Sequence, residues 1–237
     1  ANNLAAGGGR PVAVEIALIL PESVEEADIR SGMRDAEEKC LELSVEIAGG
    51  QTRISRAVSA PVAVVSGWGR APEDCAGREA RPGQDVVLSK WIGLQGTAQI
   101  AARNREKLLA RYPALLVETA AGFDRFLSVI PEAAAAVKSG VCAMHDASEG
   151  GILGALWELA EGAGVGLTIN MRKLPLRQET VEVCECCDAN PYELLSGGCL
   201  IMTAQDGPGL VAALEKERIP AVIVGKVTDS NDRILVN

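Results

Sequence analysis

The sequence predicts a mixed α and β fold in two parts, on three observations. Apolar, β-branched runs of strand length alternate with segments whose apolar residues recur at helical spacing, from Pro11 to Val236. Glycines, 25 in 237 residues, fall repeatedly at the junctions between such segments. Ala71–Gly83 mixes Pro, Gly and charge without periodicity and is the candidate linker, which places a boundary near Pro82.

Taken in order, Ala1–Pro11 is rich in Ala, Asn and Gly and reads as a helix end and a turn. Pro11–Leu20 is a strand, long and apolar enough to be mostly buried. Ser23 before Val24-Glu25-Glu26 is a capping-box pattern, and the run to Leu43 carries apolar residues at helical spacing. Val45–Ala48 is a strand broken by Gly49-Gly50, and Pro61–Gly67 is another. Beyond the linker, Asp85–Trp91 is a strand. Helices follow from Gly96 to Arg111, over Ala114–Phe126 and over Pro131–Lys138, where Pro131 suits a first helical turn. Then come strand Val141–Met144, helix Gly150–Gly162, strand Val165–Ile169 and helix Leu176–Cys187. Strand Leu200–Thr203, helix Pro208–Arg218 and two short strands, Ala221–Val227 and Arg233–Val236, close the pattern.

Composition narrows the function. A net charge of −9 with no basic patch excludes a nucleic-acid surface, and 3% aromatic residues leaves few rings for stacking bases. No apolar run approaches membrane-spanning length and no signal peptide is visible, so the expectation is an acidic, soluble, cytoplasmic protein with no membrane partner. The first residue is Ala1 rather than Met, as expected of a processed, trimmed or fragmentary chain. The seven cysteines are expected to be reduced thiols. Cys184-Glu185-Cys186-Cys187 admits a metal or redox reading, but it is not a C-x-x-C pair and reads as helix, where adjacent thiols diverge.

The segment richest in chemistry is His145-Asp146-Ala147-Ser148-Glu149-Gly150-Gly151, between a strand and a helix. His145, Asp146 and Glu149 are candidate catalytic groups, and Ser148, Gly150 and Gly151 candidate phosphate contacts. Free N–H groups at a helix start favour anions, and glycine lets a phosphate approach the backbone. The alternative is a capped helix, with Ser148 or Asp146 as N-cap and Glu149 in the first turn. Three further glycine turns recur at element ends: Gly49-Gly50-Gln51-Thr52, Gly93–Thr97 and Ser196-Gly197-Gly198. None has a dinucleotide or P-loop spacing, but together they suit a phosphate held by backbone groups. Lys90, near a strand end, is either a phosphate counter-charge or a solvated lysine. No G-x-S-x-G elbow is present, and His145 is the only histidine, so a hydrolytic triad has one candidate base.

The order of these turns resembles the superfamily of aminoimidazole ribonucleotide (AIR) synthase, thiamine-phosphate kinase, selenophosphate synthetase and the hydrogenase-maturation carbamoyl dehydratase. The likeness is greatest to the clostridial AIR synthase-related proteins, often named hydrogenase maturation factors. Asn2–Pro11, Val45–Ser55, Pro82–Ala101, Ala143–Gly166, Pro175–Glu185, Asn190–Thr203 and Ile219–Val236 carry it, in order along the whole chain.

The resemblance implies a two-domain α/β (α+β) architecture. Residues 1–82 would be a partial N-terminal domain that binds nucleotide and dimerises through a shared barrel, and residues 83–237 a C-terminal α/β sandwich. It further implies ATP and Mg²⁺ as cofactors, a likeness to homodimers, and phosphorylation of an oxygen on a small substrate or a protein-bound carboxamide. Gly49, Gly50, Gln51 and Thr52 would line the nucleotide side. Asn3 stands where the family's Asn-Asp-Leu motif has its metal-binding Asp, and Gln51 where the family often has an acid or His. Both are amides here, whereas Mg²⁺ prefers carboxylates and water. The alternative implied is a non-catalytic homologue that binds a nucleotide or partner. The family's glycine-rich N-terminal segment and Pro-Arg-Ile-Cys-type tail are expected to lie outside this stretch, and Cys142 and Cys199 do not replace the tail's acceptor cysteine.

Overall fold

α1 (Asn2–Ala6) is a single short helix whose one buried residue, Ala5, packs in the larger of the two units into which the computed structural model divides. The structure describes residues 1–72 and 79–237. The smaller unit comprises Ala1 and Gly9–Pro72; the larger comprises Asn2–Gly8 and the described part of Glu73–Asn237. The alternation of strand and helix predicts this mixed class, and the class is observed.

In the smaller unit, β1 (Arg10–Leu20), α2 (Glu26–Glu42), β2 (Glu46–Ile54) and β3 (Val62–Arg70) form a three-stranded sheet in the order β2-β1-β3 with one covering helix. β1 lies in the middle, parallel to β2 and antiparallel to β3. Two expectations are corrected here. Ser23 does not cap α2: the N-cap is Glu25, and no side chain makes the capping bond. Gly49-Gly50 does not break its strand. β2 runs through both glycines, with an irregularity opposite Val14 and Glu15. A Cβ on Gly50 would lie 2.0 Å from the Ile16 carbonyl oxygen, so the neighbouring strand approaches too closely for any other residue.

The larger unit is built on a six-stranded sheet. Its elements are β4 (Asp85–Ser89), α3 (Leu94–Arg103), α4 (Arg105–Leu109), α5 (Ala114–Ala121), a 3₁₀ turn Gly122–Phe126 and α6 (Ile130–Lys138). There follow β5 (Ala143–Asp146), α7 (Gly151–Ala163), β6 (Gly166–Asn170), α8 (Gln178–Cys187) and β7 (Leu200–Ala204). α9 (Gly207–Lys216), β8 (Ala221–Thr228) and β9 (Arg233–Val236) complete it. The strand order is β5-β7-β4-β8-β6-β9, antiparallel throughout except for the β6–β9 pair.

Two central strands, Asp-Val-Val-Leu-Ser and Leu-Ile-Met-Thr-Ala, are apolar and almost wholly buried, and successive side chains serve opposite layers. Val86, Leu88 and Ile201 join Ile152, Ala155 and Leu159 of α7. Val87, Leu200 and Met202 join Ala133 and Ala136 of α6, Leu210 and Leu214 of α9, and Ala5 of α1. Each such aliphatic side chain contributes about 1.5–3 kcal/mol by leaving water.

Other boundaries shift for identifiable reasons. The expected helix to Arg111 stops at Asn104, whose side-chain amide donates to the Ile100 carbonyl, and restarts as α4. The Ala114–Phe126 helix ends as a 3₁₀ turn from Gly122. The strand expected at Val141–Met144 lies at Ala143–Asp146 and so carries His145 and Asp146 within it. Of the candidate linker, 73–78, including Cys75, lies outside the described residues. Ala80 is already buried in the larger core, and Gly83 and Gln84 exchange backbone hydrogen bonds with Val227. Among the described residues no helix is long and apolar enough to cross a membrane.

Candidate functional site

β5 delivers His145 and Asp146 to the end of the sheet, and the period-two geometry of the strand sends them to opposite faces. Ala143 and Ala147 belong to the α7-facing core, and the imidazole Nε2 of His145 meets the Glu158 carboxylate of α7 at 3.0 Å. That contact puts a proton on Nε2 and leaves Nδ1 as the acceptor when the ring is neutral. Met144 and Asp146 face the other layer, where Met144 packs against the α1, α6 and α9 core. Asp146 is 8% exposed, and its Oδ1 is buried without a hydrogen-bond partner. Burial pushes its carboxyl above the usual carboxylate range, against the opposing pull of His145 and Lys90.

After Ala147, whose N–H donates to Cys199 O, the chain turns outward through exposed Ser148, Glu149 and Gly150. The capped-helix alternative does not hold in its expected form. The N-cap of α7 is Gly150, with φ 75°, and neither Ser148 nor Asp146 makes a capping bond. Gly151 is also left-handed, at φ 65°, and a Cβ there would lie 2.4 Å from the Tyr192 carbonyl oxygen. That close approach lets the Ile152 N–H donate to Tyr192 O, at 3.1 Å, while Gly151 N–H donates to Ser148 O. Two of the first three donors of the helix, at Gly151 and Ile152, are therefore engaged. Among the described residues around this turn, the N–H groups of Ser148, Glu149 and Gly150 in the loop, and of Leu153 in the first turn of α7, meet no backbone acceptor.

Three of the four glycine turns come together here. Ser196 N–H donates to Ser148 O, Gly93 N–H donates to Ser196 Oγ at 2.9 Å, and Gly96 N–H donates to Leu195 O at 2.8 Å. The Gly93–Thr97, Ser148–Gly151 and Ser196–Gly198 turns are thus stitched at one end of the sheet. The fourth, Gly49–Thr52, belongs to the smaller unit, within β2. Gly49 and Gln51 point to one face of that strand and Gly50 and Thr52 to the other, all four exposed.

Lys90 is neither a solvated lysine nor an open phosphate contact. It is 7% exposed, and its ammonium donates to the Phe126 and Ser128 carbonyl oxygens at 2.6 and 2.7 Å and to Glu132 Oε1 at 2.6 Å. Those acceptors use all three of its N–H groups. Its partner Glu132, 2% exposed, was not foreseen from the sequence; the available signal was a lone acid amid the alanines of an otherwise apolar helix face. Ser89 and Asn2 were missed too, and Ser196 was read only as part of its glycine turn. Ser89 Oγ accepts the Leu200 N–H, and Asn2 ties α1 to residues 127–129.

The donor set does not fit Mg²⁺. Asn3 is exposed on α1 and Gln51 is exposed on β2, both neutral amides in separate units. Among the described residues no group of three or more His, Cys, Asp and Glu side chains is arranged to hold a metal. Two of the thiols are likewise unsuited. Burial pushes Cys199 up to about 12 and Cys184 up to about 11, which keeps both protonated at neutral pH.

A family model described as AIR synthase related protein, C-terminal domain, matches residues 81–236, and the corresponding N-terminal-domain model matches residues 1–71. The carbamoyl dehydratase HypE of Rhodobacter capsulatus is 30% identical over 234 residues, covering 95% of this chain and 66% of that protein. The chain thus spans only part of that relative's length. Among solved structures, E. coli HypE superposes with a TM-score of 0.84 at 20% identity, covering 100% of this chain and 73% of the other. A HypE in complex with ATP gives 0.80 at 20% identity, covering 96% and 68%. The structural likeness supports the fold, and the two domain matches establish membership: the chain belongs to the AIR synthase related protein family.

Proposed function

We propose that this chain is the nucleotide-handling part of an ATP-dependent enzyme related to AIR synthase and HypE. The reaction would activate an oxygen of a small substrate or a protein-bound carboxamide by phosphoryl transfer. The oxygen attacks the γ-phosphorus, ADP leaves, and a poor leaving group becomes phosphate. The observation that supports this best is the stitched end of the sheet, where Asp146, with an unpartnered oxygen and a carboxyl pushed up by burial, lies beside a loop with three unengaged N–H donors.

In this reading Ser148 and Gly150 hold phosphate through the loop backbone, while Gly151, whose N–H is taken by Ser148 O, serves the turn; in the smaller unit Gly49, Gly50, Gln51 and Thr52 are the candidate nucleotide contacts. Asp146 donates or accepts the proton, with His145 and exposed Glu149 as the further candidates. Lys90 is omitted from the phosphate contacts because its donors are taken. Asn3 occupies the metal position without a carboxylate, so Mg²⁺ would arrive on the triphosphate. No step is assigned to it. β3 exposes Val62, Val64, Val65 and Trp68 along its length, which suits burial against a second copy and supports a homodimer. Cytoplasmic placement is proposed with the enzyme class.

The amides at Asn3 and Gln51 favour one second reading, a homologue that binds nucleotide without turnover. Calorimetric titration with ATP, with and without Mg²⁺, followed by a single-turnover assay for ADP, separates the two. Binding with ADP formation supports the enzyme, binding alone supports the second reading, and a folded chain that binds no ATP refutes both.

A further inference from the structure

The backbone strip Phe126–Val129 joins the 3₁₀ turn to α6, and two side chains grip it in alternation. Lys90 takes the carbonyl oxygens of Phe126 and Ser128. Asn2 takes the intervening groups: its Nδ2 donates to Leu127 O at 2.7 Å and its Oδ1 accepts the Val129 N–H at 3.2 Å. Lys90 is itself fixed by Glu132, in the first turn of α6, and both members of the pair are nearly fully buried. The Ser196–Gly198 turn abuts the same strip, since a Cβ on Gly198 would lie 2.6 Å from Phe126 O.

We propose that Lys90, Glu132 and Asn2 are positioning residues. The buried ion pair sets the strip, and the strip, gripped by Asn2, fixes α1 and with it the exposed Asn3. The inference rests on the reading that Asn3 belongs to the nucleotide side of the site.

Two physical points favour positioning over mere stability. A five-residue helix has no stability of its own, and α1 buries only Ala5, so the Asn2 amide is its principal polar tether. A buried ion pair is a weak stabilising device, because an apolar pair of similar volume usually does as well. What an apolar pair cannot do is bond two backbone carbonyls at once, and that is the role Lys90 performs.

The test compares the full chain with Asn2→Ala, Asn3→Ala, the double variant Asn2→Ala/Asn3→Ala, and the pair replacement Lys90→Met/Glu132→Leu. ATP titration and hydrogen exchange of the α1 amides are the readouts. The pair replacement is expected to fold, with Tm lowered by the two released carbonyls, and to bind ATP roughly tenfold more weakly, with α1 amides exchanging at least about tenfold faster. Asn2→Ala should show the same two losses, and should add nothing to the affinity loss of Asn3→Ala, because it acts through that residue. A folded pair replacement with wild-type ATP affinity and wild-type α1 exchange would overturn the proposal. If that variant does not fold, the Asn2→Ala results decide. If the wild-type chain binds no ATP, the functional reading fails, and the α1 exchange rates alone decide whether these residues position the helix.

Discussion

Gly151 offers the sharpest single perturbation, because a neighbouring glycine on the same helix predicts the opposite sign. In Gly151→Ala, the new methyl carbon starts 2.4 Å from Tyr192 O at a backbone φ of 65°. The left-handed conformation costs an L-residue about 1–2 kcal/mol. Relieving the clash must move the Tyr192 carbonyl, and with it the 3.1 Å hydrogen bond from Ile152, worth about 1 kcal/mol. The sum is about 2–3 kcal/mol, which in a protein of this size lowers Tm by roughly 5–10 °C. Gly162, also in α7, has nothing within 4 Å of a built Cβ and no positive φ. Gly162→Ala should therefore stabilise by about 0.5–1 kcal/mol through reduced chain entropy. Circular-dichroism melts of the two variants against wild type provide the assay. The reasoning is refuted if Gly151→Ala melts at or above Gly162→Ala.

Other outcomes follow from the same geometry. Burial raises the Asp146 carboxyl above its unfolded value, so the contribution of this group to stability is present below the ordinary carboxylate range and is lost as pH rises through the folded value. Asp146→Asn should accordingly raise Tm at neutral pH, with the gain vanishing in acid; a gain independent of pH would count against the assignment. Gly50→Ala places a methyl 2.0 Å from Ile16 O and should uncouple β2 from β1, read as lost amide protection in both strands while β4 and β7 keep theirs. Cys199, fully buried and pushed up to about 12, should resist a thiol reagent in the native chain, whereas half-buried Cys142 reacts. Native labelling of Cys199 at the rate of Cys142 would show that this core opens.

What was legible in the sequence followed from short-range physics. The uninterrupted apolar runs at Asp85 and Leu200 announce strands buried on both faces, and the 3.6-residue spacing after Gly150 announces α7. What was not legible depended on partners distant in the chain. Gly49-Gly50 reads as a breaker until the Ile16 carbonyl is seen to demand a missing side chain. Ser148 reads as a cap until a left-handed Gly150 takes that position. Lys90 reads as a solvent-exposed cation because nothing nearby in sequence reveals Glu132 or the Phe126 and Ser128 carbonyls. His145 and Asp146 read as neighbours in a turn between strand and helix, but the two-residue shift of β5 places both in a strand, on opposite faces.

The order β5-β7-β4-β8-β6-β9 bears on how the chain acquires its fold during synthesis. β4 is made early in the larger unit, yet both strands that flank it, β7 and β8, come from its last stretch. The Lys226–Asp85 ion pair joins residues 141 positions apart. Closing such separations costs entropy before any contact repays it, so this sheet should assemble slowly and only after β8 has left the ribosome. Until then the apolar edges of β4 are bare, a hazard for aggregation, whereas the strands of the smaller unit pair between neighbouring segments of the chain. Folding in the cell is therefore expected to run in two stages, with the later unit the one that depends on chaperones.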